Sequence, residues 1–573
     1  MRRIKLRQFV AALAAAAFLV PTAPSASAQS GTARATGGMV SSQQWIASQV
    51  GADVLAAGGN AVDAAIATGF ALAVTHPTAG NIGGGGFMVV RFPNGQTTAI
   101  DFREKAPLAA YPEMWLEESG EYSSDLHHQS HRAVGVPGTV AGFDKAHRLY
   151  GSLNWERLVY PSVALAQDGF PLSERLARSL ASFVERNRRY PAPVEAFSRA
   201  GQPYRAGEVW KQPDLAGTLQ RIMLAGADGF YRGETARLLA EEMRRGGGMI
   251  TEQDLAAYQA RERTPVVTTY RGFDVVSMPP PSSGGVAMTE MLNVLEGFDL
   301  AGMGHNSTRY AHHVAEAMRR AYRDRARWLA DPDFADVPVH RLTSEEHARE
   351  LRATIDPERA SSSSPEDLAV VAAAEALESP ETTHYSVVDG DGMAVSVTYT
   401  LEGGYGSGIT VPGAGFLLNN EMGDFNARPG LTTEEGLIGT TPNLARPGQR
   451  MLSSMTPTIL ARDGRLVAVI GSPGGRTIIN TVLQLVLNQV DFRMGPEETV
   501  AAGRLHHQWL PDRIVAEEGA LDPAVVLELE AMGHAVVARG RQGLAHSIFI
   551  DPLTGERVGV PDPRNPDAGA AGH

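Results

Sequence analysis

The chain has 573 residues, a formal charge of −13 and an isoelectric point near 5.7. That acidic balance excludes the basic footprint nucleic-acid binding requires and favours a protein that meets small molecules. There is no cysteine, which excludes disulfides, thiolate nucleophiles and cysteine-bound metals and leaves stability to the packing of a large core.

The opening MRRIKLRQFVAALAAAAFLVPTAPSASAQS sets Arg2, Arg3, Lys5 and Arg7 before an apolar run from Phe9 to Val20, then ends on Ala26-Ser27-Ala28. This is the pattern of an export signal, residues 1–28, cleaved after Ala28. A membrane anchor needs about 20 apolar residues, more than this run holds. The expectation is a periplasmic or secreted protein with no anchor in its mature form.

Beyond Ser42, the positions Trp45, Ile46, Val50, Val54 and Leu55 follow helical spacing. Gly58-Gly59-Asn60 breaks that helix before a second, alanine-rich one. In NIGGGGFMVVRF four glycines lead into a strand; without a following lysine and Ser/Thr they read as a tight backbone passage and not a phosphate loop. Residues 305–330 carry Ala311, Val314, Ala315, Met318, Tyr322 and Leu329 on one stripe of a long amphipathic helix capped by Asn306 or Ser307. Its His312, His313 and Glu316 are expected at exposed or capping positions, and no metal is assigned. Residues 356–381, with a serine run, Pro365 and Pro380, read as a mobile connector ending at Glu381.

After the connector, HYSVVD and MAVSVTYTL alternate apolar and polar around Asp389-Gly390-Asp391-Gly392, a hairpin signature. A three-residue loop centred on Asp391 sets Thr382 opposite Thr400, and a two- or four-residue loop moves the pairing by one. Strand alternation sends Thr400 and Glu402 to one side.

A threonine hydroxyl needs a base, and the sequence contains neither a G-x-S-x-G elbow nor HExxH. Cutting the Glu381–Thr382 bond would create a base on the spot, because the freed α-amine of Thr382 has a pKa of about 7.7–8.0 and is partly neutral near pH 8. A connector that moves away from a strand start suits such a cut.

TTHYSVVD, TYTLEGG, LLNNEMGDF, MLSSMTPTI and GSPGGR, together with AVDAAIATGFALAVTHPTAGNIGGGGF, DFREKAP, GVPGTVAG and HHQWLPD, resemble the γ-glutamyltranspeptidases of the N-terminal nucleophile hydrolase superfamily. The resemblance implies an α+β, four-layered αββα fold built from two chains, 29–381 and 382–573, that stay together as a heterodimer after autocleavage. It implies Thr382 as nucleophile, released by cleavage after Glu381, with Thr400 hydrogen-bonding it. The substrates implied are γ-glutamyl compounds such as glutathione, with water, amino acids or peptides as acceptors and no cofactor.

A γ-glutamyl group carries an α-ammonium and an α-carboxylate, so its pocket requires acids and a planar cation. The resemblance puts Arg103, Ser453 and Ser454 on the carboxylate and Glu402, Glu421 and Asp424 around the amine. It gives Gly474 and Gly475 the oxyanion, whose stabilisation needs preorganised N–H donors. Residues 426–441 match the length of the loop that covers the pocket in many bacterial members, with Glu434-Glu435 where some have an aromatic. Two alternatives remain at this stage: a cephalosporin or glutaryl acylase of the same family, and an inactive γ-glutamyl-binding protein.

Overall fold

A computed structural model describes residues 31–188, 190–368 and 381–573. The expected export signal and residues 369–380 of the connector lie outside them. Among the described residues no helix is long and apolar enough to cross a membrane.

Two antiparallel seven-stranded sheets pack face to face. The first runs Gly569–Gly572, Met39–Ser42, Thr383–Val388, Ala394–Thr400, Gly85–Arg91, Thr97–Phe102 and Arg261–Arg263. The second runs Ala33–Ala35, Arg557–Val560, Ser547–Ile550, Arg465–Ile470, Thr458–Arg462, Phe273–Ser277 and Val266–Tyr270. Strands from both ends of the chain neighbour one another in each sheet, so a nick at residue 381 leaves two pieces interleaved by backbone hydrogen bonds.

Helices cover both outer faces. Trp45–Ala56 is capped by the Gln44 side chain, and Ala61–Thr75 starts on a capping box in which Asn60 and Asp63 satisfy each other's backbone. All residues of Ala61–Thr75 are buried, which fits its alanine-rich, almost uncharged composition. Tyr385 and Tyr399 of the hairpin donate to the carbonyls of Ala65 and Gly69 at 2.9 Å each and fasten the hairpin to this helix. The second sheet is covered by Gly284–Leu295, Thr308–Trp328 and Thr477–Val490.

The hairpin register runs from Thr383 opposite Tyr399 to Val388 opposite Ala394, the pairing expected from a loop centred on Asp391. The glycine run pairs Gly85 with Thr400, and a Cβ on Gly84 would sit 2.0 Å from the Thr400 carbonyl. Those glycines exist because the hairpin end approaches too closely for a side chain.

The long helix is Thr308–Trp328 with Ser307 as its cap. His312, His313 and Glu316 are buried, not exposed as expected. His312 lies 2.8 Å from both His534 and the Asp356 carbonyl, and Glu316 pairs with Arg319 and Arg320. His534 brings a third ligand-type side chain to His312 and Glu316 from far along the chain, a meeting that local spacing cannot reveal. The first part of the connector is tied down rather than loose: Ser361 N–H reaches Glu316 and Ser363 N–H reaches Asp512.

Candidate active site

Strand register, and not local propensity, brings the two threonines together. Thr382 precedes the strand Thr383–Val388 and Thr400 ends its partner. Both hydroxyls donate to the same atom, the carbonyl oxygen of Glu381, at 2.6 Å from Thr382 Oγ1 and 3.4 Å from Thr400 Oγ1. The bond expected to break is therefore flanked by the two side chains expected to act on it. Gln43 Nε2 donates to the Thr382 carbonyl at 2.9 Å, and Asn81 Nδ2 holds the Thr400 carbonyl at 2.8 Å. Neither amide was singled out from the sequence; both come from other segments, and nothing in their local pattern marks them.

His384 is no base for Thr382. Its ring is buried between the sheets against Thr398 and Ser386, and burial, then the like charge of His546, hold its pKa well below the usual imidazole range.

A pocket opens in front of the threonines, lined by Glu381, Thr382, Thr400, Glu402, Glu421, Asp424, Ser453, Ser454 and Gly475 among others. Strand alternation alone does not place Glu402: the chain turns at this residue, with φ at +73°, and its N–H donates to Thr400 Oγ1. Its carboxylate is hydrogen-bonded by Asn420. Glu421 and Asp424 share one short 3-10 turn, Glu421–Asp424.

Arg103 lies behind these acids and not on the pocket wall. It is fully buried; Nη1 pairs with Glu421, Nη2 with Asp424, and Glu104 lies 3.6 Å away. Nε and Nη2 also donate to the Met451 and Leu452 carbonyls at 3.3 Å. Burial by itself would weaken the guanidinium's hold on its proton, but Glu421, Asp424 and Glu104 together outweigh it. Two guanidinium groups do line the pocket, Arg325 and Arg476, and Arg325 Nη2 donates to Ser454 at 3.0 Å. In the sequence Arg325 is one of several arginines on the long helix, with nothing to distinguish it.

Three carboxylates around one buried guanidinium leave a proton in the cluster. Burial lifts Glu104 to about 7 against the pull of Arg103, and Glu421 is raised well above the carboxylate range by burial and by its acidic neighbours. Folding therefore takes up protons between the unfolded value of about 4.5 and the folded value. The contribution of Glu104 is complete below about 4.5 and is lost as pH rises through about 7, on the order of 3 kcal/mol in all. Glu104→Gln is expected to raise the urea midpoint at pH 8 and to leave it unchanged at pH 4.

At the opposite wall, GSPGGR turns into the helix Thr477–Val490. Gly474 and Gly475 take φ of +137° and +57°, values open to glycine, and a Cβ on Gly474 would meet Thr477 Oγ1 at 2.5 Å. Their N–H groups donate to no other described residue.

Residues 426–441 fold over the pocket. Leu437 and Ile438 face into it, Thr440 Oγ1 donates to the Ala326 carbonyl at 2.7 Å, and Arg476 Nη1 donates to the Gly436 carbonyl at 3.1 Å. Glu434 and Glu435 are exposed at the loop's tip.

Over most of its length the chain is similar to known proteins. A family model described as gamma-glutamyltranspeptidase matches residues 47–572. The chain is 46% identical over 544 residues to a glutathione hydrolase proenzyme of Escherichia coli strain K12, covering 94% of this chain and 92% of that one. It is 45% identical to a glutathione hydrolase proenzyme of Pseudomonas sp. strain A14, covering 87% and 86%. Among solved structures it resembles a cephalosporin acylase from Bacillus halodurans with a TM-score of 0.83 and 28% identity, covering 95% and 97%.

Proposed function

Given that the chain belongs to the γ-glutamyltranspeptidase family, and is an enzyme of that class, a glutathione hydrolase and γ-glutamyltransferase, we propose that it matures by cutting its own Glu381–Thr382 bond and then uses Thr382 as nucleophile. The observation that carries this reading is the convergence of the Thr382 and Thr400 hydroxyls on the Glu381 carbonyl.

Thr382 Oγ1 attacks that carbonyl carbon while Thr400 polarises its oxygen. The C–N bond breaks, the hydroxyl proton passes to the departing nitrogen, and water hydrolyses the resulting ester. The α-amine so freed becomes the base for every later turnover. In the catalytic cycle the Thr382 oxygen takes the γ-glutamyl carbonyl, Gly474 and Gly475 N–H groups receive the oxyanion, and water or an amine releases the acyl group. Ser453 and Ser454, the latter held by Arg325, meet the α-carboxylate; Glu402, Glu421 and Asp424, with Arg103 behind the last two, surround the α-ammonium. The acid trio favours this substrate over the glutaryl group of an acylase, which has no amine to offset carboxylates taken out of water.

The export signal and the division into 29–381 and 382–573 belong to the same proposal and rest on the sequence. Intact mass under denaturing conditions tests it: active protein is expected to give those two chains, and activity residing in one uncut polypeptide refutes the scheme. Gly475→Ala places a side chain at a left-handed φ beside the oxyanion. It is expected to lower kcat by about 10²–10³-fold with little change in KM for γ-glutamyl-p-nitroanilide.

A further inference from the structure

Three helices beside the second sheet bring Glu290, Asp324 and His347 together in the interior. Glu290 sits in the middle of Gly284–Leu295, a helix whose twelve residues are all buried. Asp324 lies near the end of Thr308–Trp328, and His347 belongs to Glu345–Arg352. One donor atom from each residue lies within 4.8 Å of the other two. We propose that this trio is a site for one divalent transition-metal ion, zinc by its ligand set, which clasps the three helices and takes no part in the γ-glutamyl chemistry.

Glu290 is the residue that calls for a ligand. It is 1% exposed, and its Oε1 has no hydrogen-bond partner among the described residues. A carboxyl group buried in that way is costly unless something completes it. The nearby arginines do not suffice: Arg323 and Arg341 pull the group down, while burial and then Asp324 hold it well above the usual carboxylate range. Asp324 Oδ2 lies 2.7 Å from His347 Nε2, and its other oxygen is 3.7 Å from Arg323.

The donor set and its spacing assign the ion. Two carboxylates and an imidazole suit zinc, whereas magnesium and calcium take oxygen ligands. A tetrahedral zinc with donors at about 2.0–2.2 Å holds them about 3.4 Å apart. That lies between the 2.7 Å of the Asp324–His347 contact and the 4.8 Å outer limit of the trio. With Nε2 on the ion, the ring hydrogen of His347 sits on Nδ1. That nitrogen is buried without a hydrogen bond, and Glu350 Oε2 stands 3.8 Å away as its acceptor. His312, Glu316 and His534 form a second group of ligand-type side chains, but its acid is taken by Arg319 and Arg320. Asp324 immediately precedes Arg325, which holds Ser454 at the pocket. Adjacent helix residues point about 100° apart, so the ion fixes one side of a helix whose other side lines the pocket.

The test uses the purified protein after dialysis against EDTA. Calorimetric titration with zinc chloride is expected to show one tight equivalent and to raise Tm; magnesium chloride is expected to do neither. Glu290→Gln keeps the side-chain shape and removes the charge. Its zinc affinity is expected to drop by more than the ~10–100-fold typical of losing an outer partner, and its Tm gain to vanish. His347→Gln removes a different donor and gives the same reading should Glu290→Gln not fold. His534→Gln is expected to keep both zinc uptake and the Tm gain. A wild type that takes up no zinc, magnesium bound as tightly as zinc, wild-type uptake in Glu290→Gln or His347→Gln, or uptake lost in His534→Gln overturns the proposal. None of these outcomes bears on γ-glutamyl turnover, which anilide hydrolysis reads separately.

Discussion

Thr382→Ala is expected to accumulate as one uncut chain and to lose γ-glutamyl turnover by a factor on the order of 10⁶, the scale seen when a covalent nucleophile is deleted. Both losses follow from a single oxygen. Thr382 Oγ1 is already hydrogen-bonded to the Glu381 carbonyl, so its removal takes away the attacking atom for maturation. Without the cut, the nitrogen of residue 382 stays an amide and cannot accept a proton at any working pH. Thr382→Ser keeps an oxygen there and is expected to process, with slower turnover. A denaturing gel over days reads the first effect and anilide hydrolysis the second; an alanine variant that still splits at 381 would remove the premise of the mechanism. Thr400→Ala is the graded control. It deletes the second donor to that carbonyl and the acceptor of the Glu402 N–H but keeps the attacking oxygen, so processing is expected to slow without stopping.

Arg103→Leu is expected to cost about 3–5 kcal/mol of stability, the usual penalty for stripping one partner from a buried ion pair. Here the residue left behind is not one acid but three, Glu104, Glu421 and Asp424. The first two are buried in full and would have to hold protons to remain there. The deficit is therefore expected to be larger at pH 8 than at pH 5, where the cluster fills with protons at little cost. Activity is expected to fall with it, because the acids lose the cation that orients them toward an α-ammonium. Lysine does not restore the site: two separate nitrogens of the guanidinium engage Glu421 and Asp424, and an ammonium offers one compact charge. Urea midpoints of Arg103→Leu at the two pH values, beside those of Arg103→Lys, check each part.

Hairpin and helices were legible because short-range physics makes them. Alternation around Asp389–Gly392 specifies a two-stranded ribbon, and its loop length sets the register that aligns the ends of the two strands. Gly58 at φ +87° and the Asn60 capping box separate two helices with signals a few residues apart. Glycines 474 and 475 announced a special backbone because few other residues tolerate those angles. What stayed hidden is long-range. His312 and Glu316 read as surface groups on a helix until His534, Asp356 and the connector close over them. Arg103 looked like a cation aimed at substrate, and only the fold shows it saturated by the acids expected to face the amine. Gln43 and Asn81 carry no local mark at all, since their partners lie 339 and 319 residues away, and Arg325 is distinguished only by Ser283 and Ser454, brought to it by the fold. By itself, then, the sequence determined the backbone shapes and the pair of hydroxyls at a strand start. The tertiary structure alone decided which charges meet, because a carboxylate's proton and an arginine's availability depend on the neighbours that burial assembles around them.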